Sequence, residues 1–232
     1  MVGNVHRCVE FWRTEIRPPP RVMDWITNKI HLRVLAADKL AQQPLQQEIP
    51  LTREERFWTT RELERLCQIT AIELVGQGSQ RPEGLKEVSS IFLISKPGPK
   101  KYRLVVDMRR LNTCLEDHHF KMEGISTFLR SVGKGWWCFA MDLDDGYHHV
   151  GMSDPSKEFL GFRFANRWYR FRVLPFGLSQ AVWIFCKITR ALIVKWRRQG
   201  IVTGAYVDDF WVAHPSREIL EHIQRTVIEP DL

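Results

Sequence analysis

Apolar residues recur at helical spacing in two long stretches of the chain. The first follows Thr52, which forms the sequence pattern of a capping box with Glu55, and the second covers residues 181–195. A shorter helix is predicted over residues 125–132, and another around residues 24–40. These stretches form the helical part of the predicted fold.

Short runs rich in β-branched and aromatic residues predict the strands. AIELV predicts a strand after the first long helix, and SSIFLISK and KYRLVVDM, joined by PGPK, predict a hairpin. FLGFRF and RWYRFRVL predict a second hairpin that turns at Asn166. WWCFAMD predicts a strand that ends at Asp142, and AYVDDFWVA predicts two short strands that meet at Asp208 and Asp209.

The pattern is weaker before residue 51. Prolines occupy positions 18–20, and the polar run QQPLQQE covers positions 42–48. We therefore predict a loosely packed N-terminal leader over residues 1–50 and a folded region over residues 51–232.

Composition narrows the choice of partner and compartment. The 232 residues are 44% hydrophobic, which is enough for a core, and 34 Lys and Arg against 27 Asp and Glu give a formal net charge of +7. This excess favours a polyanionic partner, with nucleic acid as the leading candidate. The five cysteines are widely spaced without a CxxC pair, so a zinc site or disulfide framework is not indicated. With no signal peptide or long apolar run either, we expect an intracellular location, in the cytoplasm or the nucleus.

The paired aspartates have two interpretations. Asp208 and Asp209 suit a solvated hairpin turn, but large apolar residues flank them and no Gly or Asn accompanies them. Carboxylates held on strands also bind Mg²⁺, which prefers oxygen ligands. Asp142 ends another predicted strand, where it is either a turn or helix-capping residue or a third metal ligand. Three such carboxylates can hold two metal ions about 3.5 to 4 Å apart for phosphoryl transfer.

Four motifs in order resemble those of reverse transcriptases. AYVDDF is similar to the YxDD box of that family, and FAMDLDDGYHHV is similar to its first catalytic-aspartate motif. KYRLVVDMRRLN resembles the fingers motif, and LPFGLSQAVWIF resembles the motif that opens the following helix. DLDDGYHHV, YRFRVLPFGLS, KWRRQGI and YVDD together look most like the tyrosine-recombinase retrotransposons of the DIRS and Ngaro type.

The resemblance implies a fold and an activity. The fold would be α+β, with the fingers and palm of a right-hand polymerase and an antiparallel palm sheet. Because the chain ends soon after Asp209, we expect no thumb within it. The implied activity is RNA-directed DNA synthesis from dNTPs on an RNA or DNA template with a primer. The alternative is a non-catalytic nucleic-acid-binding remnant of a retroelement.

The resemblance also assigns roles to individual residues. Asp142, Asp208 and Asp209 would be the catalytic aspartates and the ligands of two Mg²⁺ ions, for which Mn²⁺ is expected to substitute. The residues expected to bind the nucleotide are Arg103, one of Lys100 and Lys101, the backbone of Asp145 and Gly146, the ring of Tyr147, and Phe176 with Gly177. Tyr147 would exclude the ribose 2′-hydroxyl, and its alternative role is that of an ordinary core tyrosine. Arg103 and the two lysines, Lys100 and Lys101, have the alternative of solvated side chains.

Several neighbouring residues carry further expectations. Asp107 and Arg109 are expected to pair with each other, and His148 and His149 are predicted to lie on a strand. Asp144 adds negative charge beside the implied triphosphate site, and Trp183 stands where relatives carry a small residue. Its bulk is expected to crowd the template or the nucleotide.

Overall fold

The computed structural model describes residues 3–46, 48–95, 97 and 102–232. The chain folds into two compact units. The first unit comprises residues 1–8, 24–117 and 147–181, and the second comprises residues 9–23, 118–146 and 182–232. The strands are β1 (Ile72–Gln77), β2 (Val88–Ser95), β3 (Tyr102–Asp107), β4 (Trp137–Asp142), β5 (Gly161–Phe164), β6 (Arg167–Phe171), β7 (Val202–Tyr206) and β8 (Asp209–His214). The helices are α1 (Val9–Phe11), α2 (Pro20–Asn28), α3 (Ala37–Gln42), α4 (Arg53–Gln68), α5 (Arg109–Asn112), α6 (Ile125–Leu129), α7 (Asp154–Lys157), α8 (Ala181–Arg198), α9 (Arg217–Ile223) and α10 (Glu229–Asp231).

A five-stranded sheet in the order β1-β6-β5-β2-β3 forms the first unit. Both predicted hairpins are confirmed, since β2 pairs with β3 and β5 with β6 in antiparallel register, whereas β2 and β5 run parallel. Phe162 and Trp168 are fully buried, and the register places Phe162 opposite Tyr169 and Trp168 opposite Arg163, so aromatic rings are buried on both faces of the sheet. The predicted capping box begins α4: Glu55 N–H donates to Thr52 Oγ1 at 3.2 Å, and Thr52 N–H donates to Glu55 Oε2 at 2.8 Å.

The N-terminal residues are packed more closely than the sequence pattern predicts. Instead of one helix around residues 24–40, the chain forms α2 and α3, because Lys29 takes a left-handed conformation, with φ of 65°, directly after α2. The sequence predicts loose packing for this segment, but Ile26 and Leu40 within it are fully buried. The domain boundary between residues 50 and 51 remains a prediction.

An antiparallel three-stranded sheet in the order β4-β8-β7 forms the second unit, as predicted for the palm. One face of β8 is buried through Phe210 and Val212, and Phe210 meets the ring of Trp196 on α8 at 5.8 Å. Lys195 and the Trp196 indole both donate to Asp231, which joins α10 to α8. Within the described residues, the helices are all too short or too polar to cross a membrane.

Two adjacent arginines offer a matched test of buried and exposed ion pairs. The Arg110 guanidinium binds both carboxylate oxygens of Glu87, at 2.8 and 2.9 Å, and the Glu87 side chain is fully buried. Burial raises the pKa of Glu87, and the charge and hydrogen bonds of Arg110 oppose that rise. Arg109 instead pairs with Asp107 at 2.6 Å at the surface, which confirms the predicted pairing.

We expect Arg110→Ala to lower the free energy of unfolding by about 3 kcal/mol, because it leaves a buried carboxylate without its partner. The loss should be largest at neutral pH. Because the folded-state pKa of Glu87 is raised above its unfolded value, the contribution of Glu87 to stability is complete below the unfolded pKa. That contribution is lost as pH rises through the folded pKa. Denaturant unfolding of Arg110→Ala and Arg109→Ala at acidic and neutral pH measures this. Equal losses in the two variants would contradict it.

Candidate active site

Two of the predicted catalytic aspartates lie directly opposite each other in the second unit. Asp142 ends β4 and Asp209 begins β8, and the antiparallel register pairs these two residues. Directly opposite side chains in such a pair have Cβ atoms about 4.5 to 5.5 Å apart, where like charges are destabilising. Both side chains are exposed, so each can rotate without disturbing the core.

The third aspartate lies in the turn between β7 and β8. Asp208 directly precedes Asp209, and its carbonyl accepts a hydrogen bond from Leu143 N–H at 3.2 Å. This bond joins the turn to the residue that follows Asp142. The backbone therefore brings Asp142 to the same end of the sheet as Asp208 and Asp209, although it stands far from them in the sequence.

The turn holds a strained residue next to the aspartates. Val207 has φ of 59°, a left-handed conformation that is costly for a β-branched side chain. Cys186 on α8 lies beside it. Burial raises the pKa of the Cys186 thiol, a hydrogen bond with the Val207 backbone opposes this rise, and the charge of Asp208 adds to it.

We expect Val207→Gly to raise the free energy of unfolding by about 1 kcal/mol. Relief of a left-handed conformation is worth about 1 to 2 kcal/mol, and the greater chain entropy of glycine offsets about 0.5 to 1 kcal/mol of it. Thermal and denaturant unfolding measure the change. Val202→Gly at the first position of β7 is the matched control and should destabilise the protein. A loss of stability in both variants would show that Val207 is not strained.

Gly146 is tightly packed close to the aspartates. A Cβ atom on Gly146 would lie 3.0 Å from the Phe185 ring and 3.6 Å from the Asp208 Cβ. Its N–H donates to the Leu143 carbonyl at 3.1 Å, so this donor is used within the turn instead of pointing freely to a ligand. Asp145 precedes it with φ of 53°, a conformation that Asp tolerates.

The donor chemistry of the three aspartates fits Mg²⁺, a hard cation that takes carboxylate oxygens. Among the described residues, however, no group of three acidic, histidine or cysteine side chains is gathered closely enough to hold a metal ion. The backbone brings the three aspartates to one end of the sheet, but their side chains would have to turn towards an ion to bind it.

The remaining predicted residues within the described part lie in the first unit. Tyr147 is 7% exposed and packs on Phe176 at a ring distance of 4.7 Å. Gly177 has φ of 96°, and a Cβ atom there would lie 2.8 Å from the Val106 carbonyl. Arg103 is exposed on β3, and its side chain has no hydrogen-bond or ion-pair partner among the described residues. Lys100 and Lys101 lie outside the described residues.

Asn112 has a role that the sequence analysis did not identify. Its amide donates to the Gly177 carbonyl at 2.9 Å and accepts from Ser179 N–H at 2.9 Å. Asn112 thus holds the loop that carries Phe176 and Gly177. The only sequence signal was its place at the end of KYRLVVDMRRLN.

Two expectations about neighbouring residues are wrong. His148 and His149 belong to a 3-10 helix over Gly146–His149, not to a strand. Trp183 does not project from the protein: it is 8% exposed, stacks on His118 at 3.8 Å and has the Arg21 guanidinium 5.2 Å from its ring centroid. A core position therefore accommodates its bulk, which removes one reason for the non-catalytic alternative.

Comparison with known proteins finds a reverse transcriptase family model and the Pol polyproteins of transposons. A family model described as reverse transcriptase (RNA-dependent DNA polymerase) matches residues 94–229. The chain is 32% identical over 144 residues to the retrovirus-related Pol polyprotein from transposon opus of Drosophila melanogaster, a match that covers 60% of this chain and 14% of the relative. The corresponding polyprotein from transposon gypsy of the same organism is 32% identical over 143 residues, 59% of this chain and 14% of the relative. The chain thus spans 14% of the length of these two curated relatives.

A solved structure shares the fold. The foamy viral protease-reverse transcriptase in complex with dsDNA superposes with a TM-score of 0.67 at 16% identity, over 85% of this chain and 39% of that chain. The likeness supports the α+β architecture predicted from the sequence.

Proposed function

Because the chain belongs to the reverse transcriptase (RNA-dependent DNA polymerase) family, we propose that it is the polymerase region of a retroelement and copies RNA into DNA. The reaction joins a dNTP to a primer 3′-hydroxyl with release of pyrophosphate. The observation that carries this proposal is the register of β4 and β8, which sets Asp142 opposite Asp209 and next to Asp208. This is an arrangement of carboxylates suited to phosphoryl transfer.

We assign the residues to roles as follows. Asp142, Asp208 and Asp209 would hold Mg²⁺ or Mn²⁺, which supplies charge neutralisation at the reacting phosphate. Arg103 and one of Lys100 and Lys101 bind the triphosphate, to which the planar guanidinium is suited. Asp145 and Gly146 lie beside it, Tyr147 lies against the sugar, and the loop of Phe176 and Gly177 contacts the base pair. Catalysis is then mostly positioning and charge neutralisation.

The finer assignments concern organisation and subtype. We propose that residues 51–232 contain the fingers and palm, with the five-stranded sheet in the fingers and the β4-β8-β7 sheet in the palm. The motifs DLDDGYHHV and KWRRQGI support a place among the tyrosine-recombinase elements of the DIRS and Ngaro type. We also propose that the protein acts inside the cell, where templates and dNTPs are present.

Primer extension by the 232-residue chain on a homopolymer RNA template, with Mg²⁺ or Mn²⁺, tests the proposed activity. Incorporation that requires both a divalent ion and the complementary dNTP would support it. Binding of primer–template without any incorporation would instead favour the non-catalytic nucleic-acid-binding role.

Affinity for primer–template is expected to fall steeply with salt concentration. Each phosphate contact made by Lys or Arg releases counterions and adds about 0.7 to 0.9 to the slope of log affinity against log salt. The formal net charge of +7 predicts several such contacts. Fluorescence anisotropy with a labelled primer–template over a salt series measures the slope, and an affinity that does not change with salt would contradict the prediction.

A further inference from the structure

The N-terminal residues of the first unit hold the turn that carries Tyr147. Gly3 N–H donates to the His148 carbonyl at 3.0 Å, and Gly151 N–H donates to His6 Nε2 at 2.5 Å. Residues 3–6 therefore contact both ends of the segment 148–151, although more than a hundred residues separate them in the sequence.

The two hydrogen bonds of the His6 ring require a single protonation state. Its Nδ1 lies 2.8 Å from the Ile26 carbonyl, which can only accept, so Nδ1 carries the proton. Its Nε2 receives the Gly151 N–H and must then be unprotonated. Neutral His6 thus satisfies both partners, whereas a doubly protonated ring would set an N–H group against the Gly151 N–H.

The backbone at Gly151 is closely enclosed. A Cβ atom there would lie 2.9 Å from His6 Nε2 and 3.5 Å from the Lys29 side chain. The Gly151 carbonyl also accepts from Ile30 N–H at 3.0 Å. Loss of the His6 contact would therefore leave a buried N–H without its acceptor, which is costly.

The opposite side of the turn connects to Tyr147. Val150 N–H donates to the Tyr147 carbonyl at 3.1 Å, and the Val150 carbonyl accepts from Leu174 N–H at 2.8 Å. The Tyr147 ring packs on Phe176. Movement at Gly151 would consequently be passed through Val150 to the backbone of Tyr147.

We propose that neutral His6 is a positioning residue for sugar selection, because it holds the turn that places the Tyr147 ring. This inference rests on the proposed function. A second consequence concerns pH, because the pKa of His6 is lowered. Burial lowers this pKa, the hydrogen bond to the Ile26 carbonyl opposes the change, and the charge of Lys29 lowers the pKa further. The turn itself adds His148 and His149 as titratable neighbours.

The direction of the pH effect follows from the lowered pKa. Between the folded-state pKa of His6 and its ordinary value near 6.5, the unfolded chain binds more protons than the folded one. The contribution of His6 to stability is therefore complete above the ordinary value. It decreases as pH falls towards the folded-state value, where protonation breaks the contact with Gly151.

Amide hydrogen exchange tests the contact in the whole chain without requiring activity. We expect the protection factor of the Gly151 amide to fall about tenfold in His6→Ala, which corresponds to about 1.4 kcal/mol. In the wild type it should fall as pH drops below 6.5, whereas in His6→Gln it should not depend on pH. His222→Ala, at an exposed histidine on α9, is the control and should leave Gly151 protected. Unchanged protection in His6→Ala, or equal pH dependence in His6→Gln and wild type, would overturn the proposal.

Sugar discrimination tests the consequence for catalysis. In His6→Ala, the ratio of kcat/KM for ribonucleotides to that for deoxyribonucleotides should rise several-fold, whereas a merely structural role would lower both values together. An unchanged ratio would overturn the selectivity role. Failure of the wild-type chain to extend primers would contradict the proposed function and the selectivity role with it, and the exchange measurements would still decide whether His6 holds the turn.

Discussion

Asp208→Asn is expected to abolish metal-dependent primer extension while the protein remains folded. The substitution removes a negative charge at nearly constant volume, and it leaves the backbone carbonyl that accepts from Leu143 in place. If the carboxylate holds a metal ion that stabilises the transition state by several kcal/mol, the rate should fall by at least about 100-fold. Single-nucleotide extension with Mg²⁺ at saturating dNTP measures this, and thermal unfolding confirms the fold.

Asp144→Asn is the matched control for this substitution. Asp144 is an exposed aspartate two positions after Asp142, and it has no proposed role as a metal ligand. Its replacement should preserve or raise activity, because it removes negative charge beside the proposed triphosphate site. Extension by Asp208→Asn at the rate of the parent would exclude the two-metal assignment.

Tyr147→Val is expected to admit ribonucleotides. A ring beside the sugar fills the space that a 2′-hydroxyl would need, so a ribonucleotide must clash or shift its α-phosphate. Misplacement by about 1 Å can cost on the order of 100-fold in rate, and the smaller valine should recover much of that factor. The ratio of kcat/KM for ribonucleotides to that for deoxyribonucleotides measures the effect.

Tyr169→Val separates this role from that of a core tyrosine. Tyr147 and Tyr169 are both 7% exposed, and each packs on a phenylalanine, Phe176 and Phe162 respectively. Both truncations should lower stability, because they remove buried aromatic contacts. Only Tyr147→Val should change the sugar ratio, and an equal or absent change in the two variants would refute the steric role.

The sequence predicted those features that depend on local pattern. The capping box at Thr52, both hairpins of the first unit and the strand that ends at Asp142 follow from residue periodicity and turn chemistry. The split between α2 and α3 was missed because it depends on the left-handed conformation of Lys29, for which a lysine gives no signal.

Features that depend on distant contacts could not be predicted from pattern. The burial of Trp183 depends on His118 and Arg21, and the loop support by Asn112 depends on groups that lie 65 and 67 positions away. The 3-10 helix of His148 begins at Gly146, which lies close to the ring of Phe185 on α8. Periodicity carries no information about such partners, so the sequence suggested a strand there.

The register of β4 and β8 also limits how the protein can change over evolutionary time. Asp209 and the buried Phe210 alternate on one strand, so a slip of one residue would turn the carboxylate inward and the phenylalanine outward. The same alternation that fills the core thus aligns Asp209 with Asp142. Lineages can exchange the apolar residues of β8 for one another, but an insertion or deletion in the β7–β8 turn would alter core and active site in a single event.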